Sequence, residues 1–441
     1  MANITKKPIK KKEIKRKNFE LELMNEILLK IIKDDYPFRV AINNVTKPYE
    51  IEPYIRNNIT TTVGAELRHH YLCEYLIKKS FGEVSLEEFA LLAILFTNAS
   101  FSRKVDKEEM LNFVNLQLKK LESSITPKQV EEFLTNNSDT SHLIGEDIEP
   151  NSLEYLKVRY NTPTWVIKMW QKHFGNNLAY KILKANTTQP ETIVRVNVLS
   201  SKEEEILKDS DNFEKVEGME GLLHYKGKEQ LRHNRHSQLF DIFPTSKGMK
   251  YLLDRVEVDS MKPIAVYQGS FGENLFLEVM MKVGRDVKMD LLLETEKDYQ
   301  NVNKNIEKFG LKKSNVYLTN PSTILSCLSE PVSTFFVLPR STNMQFVRTS
   351  PDYMLHFKSE SLDEILAGEK LLLKEAYENT EEGGQIVYIV TTLSHKEGHS
   401  LIKEFVKNNP VTLVEEKQFL PFDKYDSSMY FAILRKEVKN D

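Results

Sequence analysis

The second half of the sequence alternates short apolar runs with amphipathic stretches, and this alternation constrains the fold more than any other feature. Between residues 231 and 441, the apolar runs are separated by helix-length segments such as Glu296 to Phe309 and Ser361 to Asn379. Strands that alternate with helices predict a doubly wound, Rossmann-like α/β sheet. The candidate strands are Pro263 to Gln268, Met289 to Glu294, Asn315 to Thr319, Thr334 to Leu338, Gln385 to Val390, Val411 to Glu415 and Met429 to Leu434.

In a sheet of this kind, ligands bind at the carboxyl ends of the strands, near the point where the strand order reverses. Four strand ends are therefore candidate positions for chemistry: those after Gln268, Glu294, Leu338 and Val390.

The chain of 441 residues is too long for one ordinary core, since domains usually contain roughly 100 to 200 residues. Residues 18–125 repeat apolar positions at helical spacing and predict an all-α bundle. Ser85, followed by Glu87 and Glu88, is a candidate N-cap for a helix that runs to Thr97. Residues 126–150 are polar and acidic, and we expect a linker there.

Residues 151–230 mix helix and strand signals and predict a small α+β domain. A helix is expected to start at Thr162-Pro163 and to stop at Gly175, with both tryptophans packed in the core. The run Ile193 to Val198 reads as a strand in which Arg195 and Asn197 share one polar face.

The first 17 residues form a basic arm with a single acid, Glu13. Such an arm gains affinity for phosphate by releasing counterions, or it serves as a solubilising tail. Its basic residues are Lys6, Lys7, Lys10, Lys11, Lys12, Lys15, Arg16 and Lys17.

Composition excludes several classes of protein. With 40% hydrophobic and 28% charged residues, and no apolar run of about 18 residues, a membrane-spanning chain is not expected. The charged N-terminus does not resemble a secretory signal. Only two cysteines occur, Cys73 and Cys327, without CxxC spacing, so neither a disulfide framework nor a metal site is predicted and a reducing cytoplasm fits.

Several motifs, in a common order, resemble the NOL/NOP/Sun family of RNA cytosine-5 methyltransferases, and the domain order is that of its bacterial Sun branch. The resemblance implies a NusB-like helical domain, a small α+β domain of RNA-binding type at residues 151–230 and a Rossmann-like methyltransferase domain, with rRNA as partner and S-adenosylmethionine as cofactor. The matching segments are Tyr160 to Val166, Arg195 to Asn197, Ser237 to Leu239, Gly383 to Tyr388 and Tyr430 to Arg435.

The family's cofactor loop, Asp-x-Cys-Ala-Ala-Pro-Gly-Gly-Lys-Thr, aligns with Val266 to Leu275. Gly269 and Gly272 still allow a tight turn, but Val266 and Asn274 stand where the family has aspartate and lysine. Glu294 is a candidate acceptor for ribose hydroxyls, or a simple helix-start acid. The resemblance therefore implies weakened binding of the cofactor.

The family adds a cysteine thiolate to C6 of cytosine before it transfers a methyl group to C5, and a second cysteine assists. These two positions fall at Thr391 and Arg340, and the acid that precedes the second cysteine is Val337. A threonine hydroxyl supplies essentially no anion unless a base lies beside it. The resemblance thus implies a degenerate catalytic site.

Two further clusters carry alternative interpretations. His395 and His399 are either replacement acid/base groups or two side chains on one helical face. The segment around Arg232 and Arg235 is basic and either binds phosphate or is a solvated loop.

Three functions remain open from the sequence. The first is an RNA-binding or ribosome-associated factor that has lost catalysis, with contacts through the basic arm, Arg195, Asn197, Arg232 and Arg235. The second is an active methyltransferase with a rearranged site. The third is a protein-interaction scaffold, with a partner bound through the helical domain.

Overall fold

The computed structural model describes residues 18–140, 142–145, 147–269, 274–324 and 327–438. The chain divides into two compact units. Unit 1 contains the chain up to Gln171 together with Thr349–Lys358, and unit 2 contains Lys172–Arg348 and the chain from Ser359 onward.

The α-helices are, in chain order, α1 Phe19–Ile32, α2 Phe38–Thr46, α3 Pro53–Arg68, α4 His70–Phe81, α5 Leu86–Thr97, α6 Lys107–Lys120, α7 Pro127–Asn136, α8 Leu153–Tyr160, α9 Thr164–Ala185, α10 Glu203–Ile206, α11 Arg235–Gln238, α12 Lys247–Arg255, α13 Leu275–Val283, α14 Glu296–Phe309, α15 Tyr353–His356, α16 Ser361–Glu378 and α17 His399–Asn408.

Unit 1 is a helical domain centred on α5, in which every residue from Phe89 to Thr97 is buried. The predicted cap is confirmed as a capping box, because Ser85 Oγ accepts from Glu88 N at 3.2 Å and Ser85 N donates to Glu88 Oε2 at 2.8 Å. Together these bonds satisfy two backbone donors that the first turn of a helix otherwise leaves unpaired.

The expected linker, residues 126–150, is only partly a linker. Thr126 caps α7, and the three apolar residues of α7 lie in the same core as α5. The spacing of Val130, Phe133 and Leu134 already placed them on one helical face, but the surrounding polar residues outweighed that signal. Residues up to Gln171, which had been assigned to the α+β domain, also belong to unit 1.

A ten-residue segment from the α/β half of the sequence, Thr349–Lys358, also belongs to unit 1. Asp352 Oδ2 accepts a hydrogen bond from Phe38 N at 2.7 Å, so it caps the N-terminus of α2. His356 Nδ1 lies 2.8 Å from Asp35 Oδ1. Phe357 packs against Trp165, with ring centroids 4.9 Å apart.

The helix that begins at Thr164 is interrupted at Gly175, where the sequence predicts its stop. It resumes after Gly175, whose φ is +78°, and continues to Ala185. The prediction that the tryptophans serve as core residues is confirmed for Trp170, which is fully buried.

Among the described residues no single helix is long and apolar enough to cross a membrane. Helix α4 and the helical stretch Leu86–Ser102 meet the length and composition of a span only when taken as a pair, and the pair is bent by 110°.

Unit 2 contains a small antiparallel sheet with the strand order β2-β3-β1-β4. Val194 and Val196 point into its core, together with Phe213, Leu223 and Ile242. The strands are β1 Ile193–Val196, β2 Phe213–Lys215, β3 Leu222–Tyr225 and β4 Ile242–Pro244.

The large sheet of unit 2 confirms the predicted Rossmann-like domain. Its order is β10-β11-β9-β8-β5-β6-β7, and only β11 runs antiparallel, to β9 and to β10. The other pairs are parallel, and the order reverses at β5, which lies between β6 and β8. The strands are β5 Ile264–Gln268, β6 Met289–Leu293, β7 Ser314–Leu318, β8 Val332–Leu338, β9 Thr380–Val390, β10 Val411–Gln418 and β11 Tyr430–Lys436.

Side chains that alternate along the central strands enter two different cores. Val266 and Phe336 pack on one face of the sheet, whereas Tyr267 and Phe335 pack on the other. Because helices cover both faces, the strands must be apolar throughout, which explains the continuous apolar runs in the sequence.

Candidate functional site

The four predicted strand ends meet at the carboxyl edge of the parallel sheet. Gly269 follows β5, Glu294 follows β6, Arg340 lies two residues beyond β8, and Thr391 follows β9. Because the strand order reverses between β5 and β8, a ligand crevice is expected here.

Glu294 is already engaged by two side chains of this chain. The Tyr267 hydroxyl donates to Glu294 Oε1 at 2.5 Å, and the Arg340 guanidinium forms an ion pair with Glu294 Oε2. The Glu294 side chain is 9% exposed and that of Arg340 is 62% exposed. Burial, and next the Glu294 charge, raise the pKa of Tyr267, so its hydroxyl keeps the proton that it donates. Each carboxylate oxygen that could accept a ribose hydroxyl therefore already has one partner within the chain.

The space around Gly269, at the end of β5, leaves little room for a side chain. A Cβ atom there would overlap Glu294 Oε1 and would lie 3.1 Å from Arg340 N. The Gly269 N–H donates to Leu338 O at 2.8 Å, which ties the end of β5 to that of β8. Gly272, the second glycine of the expected turn, lies outside the described residues.

Thr391, at the family's nucleophile position, is fully buried. Its hydroxyl donates to Asn343 Oδ1 at 2.7 Å and lies 3.2 Å from Ser341 Oγ. An amide oxygen and a hydroxyl are not bases at neutral pH, so these contacts do not activate the threonine.

A hydrogen-bond network that the sequence did not indicate lies beside Thr391. Buried Glu397 accepts from Thr342 N at 2.7 Å, from Thr342 Oγ1 at 2.8 Å and from Thr392 Oγ1 at 2.5 Å. Burial raises the pKa of Glu397, and these hydrogen bonds oppose the effect. The network joins the loop after β8 to the loop after β9, the two loops on which the family carries its cysteines.

Glu369, on α16, is a second buried carboxyl group near Glu397. Burial and the neighbouring Glu397 carboxyl raise the pKa of Glu369 well above its usual value, against a smaller opposing effect of the Tyr388 hydroxyl. The Tyr388 hydroxyl itself donates to Glu397 O at 3.0 Å. The sequence signal for this pair is that Glu369 occupies a position on α16 where the spacing of the apolar residues predicts an apolar side chain.

The two histidines after β9 do not share a helical face. His395 lies in the turn before α17, and its ring stacks on that of His173 at 4.6 Å with the planes 6° apart. Burial lowers the pKa of His395 and lowers that of His173 to about 4, so His173 is neutral at pH 7. His399 begins α17 and lies 3.0 Å from Glu416.

Two predicted RNA contacts are used inside the protein. Arg195 Nη1 lies 2.9 Å from Oε2 of buried Glu278, whose pKa burial raises. Asn197 is fully buried; its Nδ2 donates to Phe240 O at 2.9 Å and its Oδ1 accepts from Leu199 N at 3.1 Å. Period-two alternation places side chains on a face, but it does not tell which face is solvated.

The other predicted contacts remain exposed or lie elsewhere. Arg232 and Arg235 are exposed, while neighbouring His236 pairs with Asp241 at 3.0 Å. Lys10, Lys11 and Lys12 lie outside the described residues. Cys73 is fully buried, whereas Cys327 is only partly buried.

Comparisons with known proteins agree with this architecture. The family model "Methyltr_RsmF/B-like, ferredoxin-like domain" matches residues 162–210. A comparison with curated proteins finds no match.

Among solved structures, PH0851 superposes with a TM-score of 0.71 at 15% identity over 96% of this chain and 100% of its own. NSun6 from Pyrococcus horikoshii, solved with SFG, has a TM-score of 0.56 at 11% identity over 63% of this chain and 99% of its own. A methyltransferase homologue from the same organism has a TM-score of 0.56 at 14% identity over 66% of this chain and 100% of its own. At these identities the structures establish the shared fold. The chain is therefore similar to RsmF/B-like methyltransferases in residues 162–210, and to the solved structures in its overall fold.

Proposed function

We propose that the chain is a member of the Sun-type family of RNA cytosine-5 methyltransferases that binds RNA or the ribosome and does not form 5-methylcytosine. One observation carries the proposal: Glu294, the acid that would hold the ribose of S-adenosylmethionine, is bound by Tyr267 and Arg340 of the same chain. A ribose would have to compete with these two contacts, which supports weakened binding of the cofactor.

The ion pair between Arg340 and Glu294 is weak. An ion pair with one exposed partner contributes at most about 1 kcal/mol, so Arg340 alone is a weak barrier to a ligand. The Tyr267 bond and the substitutions at Val266 and Asn274 remain when Arg340 is removed. We therefore attribute the expected loss of cofactor binding to all of these positions together, and not to Arg340 alone.

Loss of catalysis has an independent basis. Arginine stays protonated at any physiological pH and cannot act as a nucleophile, and Arg340 stands where the family has cysteine. Thr391 is buried and bonded to an amide oxygen. No covalent adduct with a pyrimidine is expected at either position.

Calorimetric titration with S-adenosylmethionine and with S-adenosylhomocysteine tests whether the chain binds the cofactor. We expect no heat of binding at millimolar ligand, for the wild type and for Arg340→Ala alike. Arg340→Cys restores the family residue and is expected to remain inactive, since Thr391 and the cofactor loop are unchanged. Micromolar binding by the wild type, with methyl transfer to rRNA, would support the active-enzyme alternative and overturn the proposal.

RNA binding is tested separately, by filter binding of the full chain to single-stranded rRNA fragments at low salt. We expect binding that weakens as salt rises, because phosphate contacts release counterions. A chain that binds no RNA at low salt, and instead retains a protein partner, would contradict this part and favour the scaffold alternative.

A further inference from the structure

An exposed apolar patch lies on unit 2, where the small sheet joins the segment after α11. Val198 is 65% exposed, Leu239 47% and Phe240 38%. Hydrogen bonds hold the patch together, since Asn197 Nδ2 donates to Phe240 O at 2.9 Å and Asn197 N to Asp241 O at 2.8 Å. Buried Asn197 therefore acts as the internal support of this surface.

Phe240 adopts a left-handed backbone conformation, with φ at +60°. This region is unfavourable for a bulky side chain, so the surrounding bonds must hold it there. Phe240 N donates to Ser237 O at 3.2 Å, and Asp241 N donates to His236 O at 2.9 Å. The aromatic side chain is thus held at the surface on a constrained backbone.

Four cations accompany the patch. Lys308 Nζ donates to Leu239 O at 2.7 Å and lies 4.7 Å from the Phe240 ring centroid. Arg285 Nη2 donates to Leu199 O at 2.9 Å, next to Val198. Arg232 and Arg235 precede the patch and are exposed. We refer to the patch and these cations together as the Phe240 surface.

The charges of these four cations are not matched by acids. No carboxylate lies within ion-pair distance of them among the described residues, whereas Arg195, Arg340 and Arg348 are each paired with an acid. Asp241, the acid within this segment, is engaged by His236 at 3.0 Å and by Ser200 Oγ at 2.7 Å. The Phe240 surface therefore presents uncompensated positive charge beside an aromatic ring.

We propose that the Phe240 surface binds single-stranded RNA, with an unpaired base stacked on Phe240 and with Arg232, Arg235 and Lys308 facing phosphates. The inference rests on the proposed RNA-binding function and goes further by naming the surface. Aromatic side chains beside cations suit unpaired bases, whose flat faces stack while their phosphates are neutralised.

The test measures binding of the full chain to a fluorescent single-stranded oligoribonucleotide by anisotropy, with thermal melting of each variant as a check of folding. Phe240→Ala is expected to weaken binding about ten-fold, since a stacked base contributes roughly that much. Phe240→Trp keeps an aromatic face and should retain wild-type affinity. The matched control is Phe422→Ala, because Phe422 is 37% exposed and carries Lys181 at 5.7 Å from its ring.

The charges are tested by the double variant Arg232→Ala/Arg235→Ala. Removing two phosphate contacts should lower the slope of log affinity against log salt by about 1.4 for a single strand. The control, Lys181→Ala, should leave the slope unchanged.

The outcomes separate this inference from the proposed function. If the wild type binds RNA and Phe240→Ala binds equally well, stacking at Phe240 is overturned while the proposed function stands. An unchanged salt slope in the double variant overturns the phosphate contacts in the same way. If the wild type binds no RNA, both the proposed function and this inference fail.

Discussion

At the residue scale, Arg340 and Thr391 stand at the positions that the sequence aligns with the family's two cysteines. An arginine in place of a cysteine removes a nucleophile and supplies a cation that pairs with Glu294. A threonine in place of the second cysteine joins a buried network rather than facing a substrate. Both side chains thus make their contacts within the chain.

The hydrogen bonds to buried Glu397 should contribute measurably to the stability of the fold. Thr342→Val removes a hydroxyl that donates to Glu397 Oε2 at 2.8 Å, and we expect a loss of about 1 to 3 kcal/mol in the free energy of unfolding, since a buried carboxyl loses a partner. Urea denaturation measures it. Thr412→Val is the control, because its hydroxyl donates to Glu437 at the surface and its loss should matter little. Equal effects of the two variants would contradict a special role for the network.

Helix α16 contributes a carboxyl group that makes stability depend on pH. Because burial raises the pKa of Glu369 well above the ordinary value of 4.5, the folded chain keeps a proton that the unfolded chain releases. The stability that Glu369 contributes is fully present below pH 4.5 and is lost as pH rises through its folded pKa.

We therefore expect Glu369→Gln to unfold at higher urea than the wild type at pH 8, with the advantage shrinking toward pH 5. Denaturation at both pH values measures the difference, and Glu364→Gln, exposed on the same helix, is the control. A wild type and a Glu369→Gln variant with parallel pH profiles would show that Glu369 is not protonated in the folded chain.

The segment Thr349–Lys358 acts as an element of unit 1 although it lies within the α/β sequence. Asp352→Ala removes the acceptor of the Phe38 N–H, and we expect a loss of about 1 kcal/mol, as for other helix caps. Thermal unfolding followed at 222 nm by circular dichroism, a wavelength that reports helix, measures the change. Asp352→Asn keeps an acceptor and should recover most of the stability. If both substitutions behave like the wild type, the cap is not important.

At the scale of the whole molecule, the proposed function predicts that the cofactor does not stabilise the fold. A ligand present at 100 times its dissociation constant raises stability by about 2.7 kcal/mol, an increase that thermal melting detects readily. We expect no shift of the melting temperature with millimolar S-adenosylmethionine. A shift of several degrees would reveal a working cofactor site.

The sequence alone predicted most strands and helices of this protein, but it did not predict where the two compact units begin and end. The strands β5 to β8 and helix α14 follow their predicted positions closely, because continuous apolar runs and amphipathic periodicity are local signals, whereas β9 begins at Thr380, before the predicted Gln385. The boundary at Gln171, the buried helix α7 and the segment Thr349–Lys358 were not predicted, since they depend on contacts between residues distant in the chain.

The same division holds for the site. The sequence determined which residue types stand at the strand ends, and hence that the family's cysteines are replaced. Only the tertiary structure decided that Glu294 is bound by Tyr267 and Arg340, that Arg195 pairs with Glu278, and that Asn197 supports Phe240 from within. The reason is physical: whether a polar side chain is free for a ligand depends on which groups folding brings within hydrogen-bond distance, and no local pattern encodes that distance.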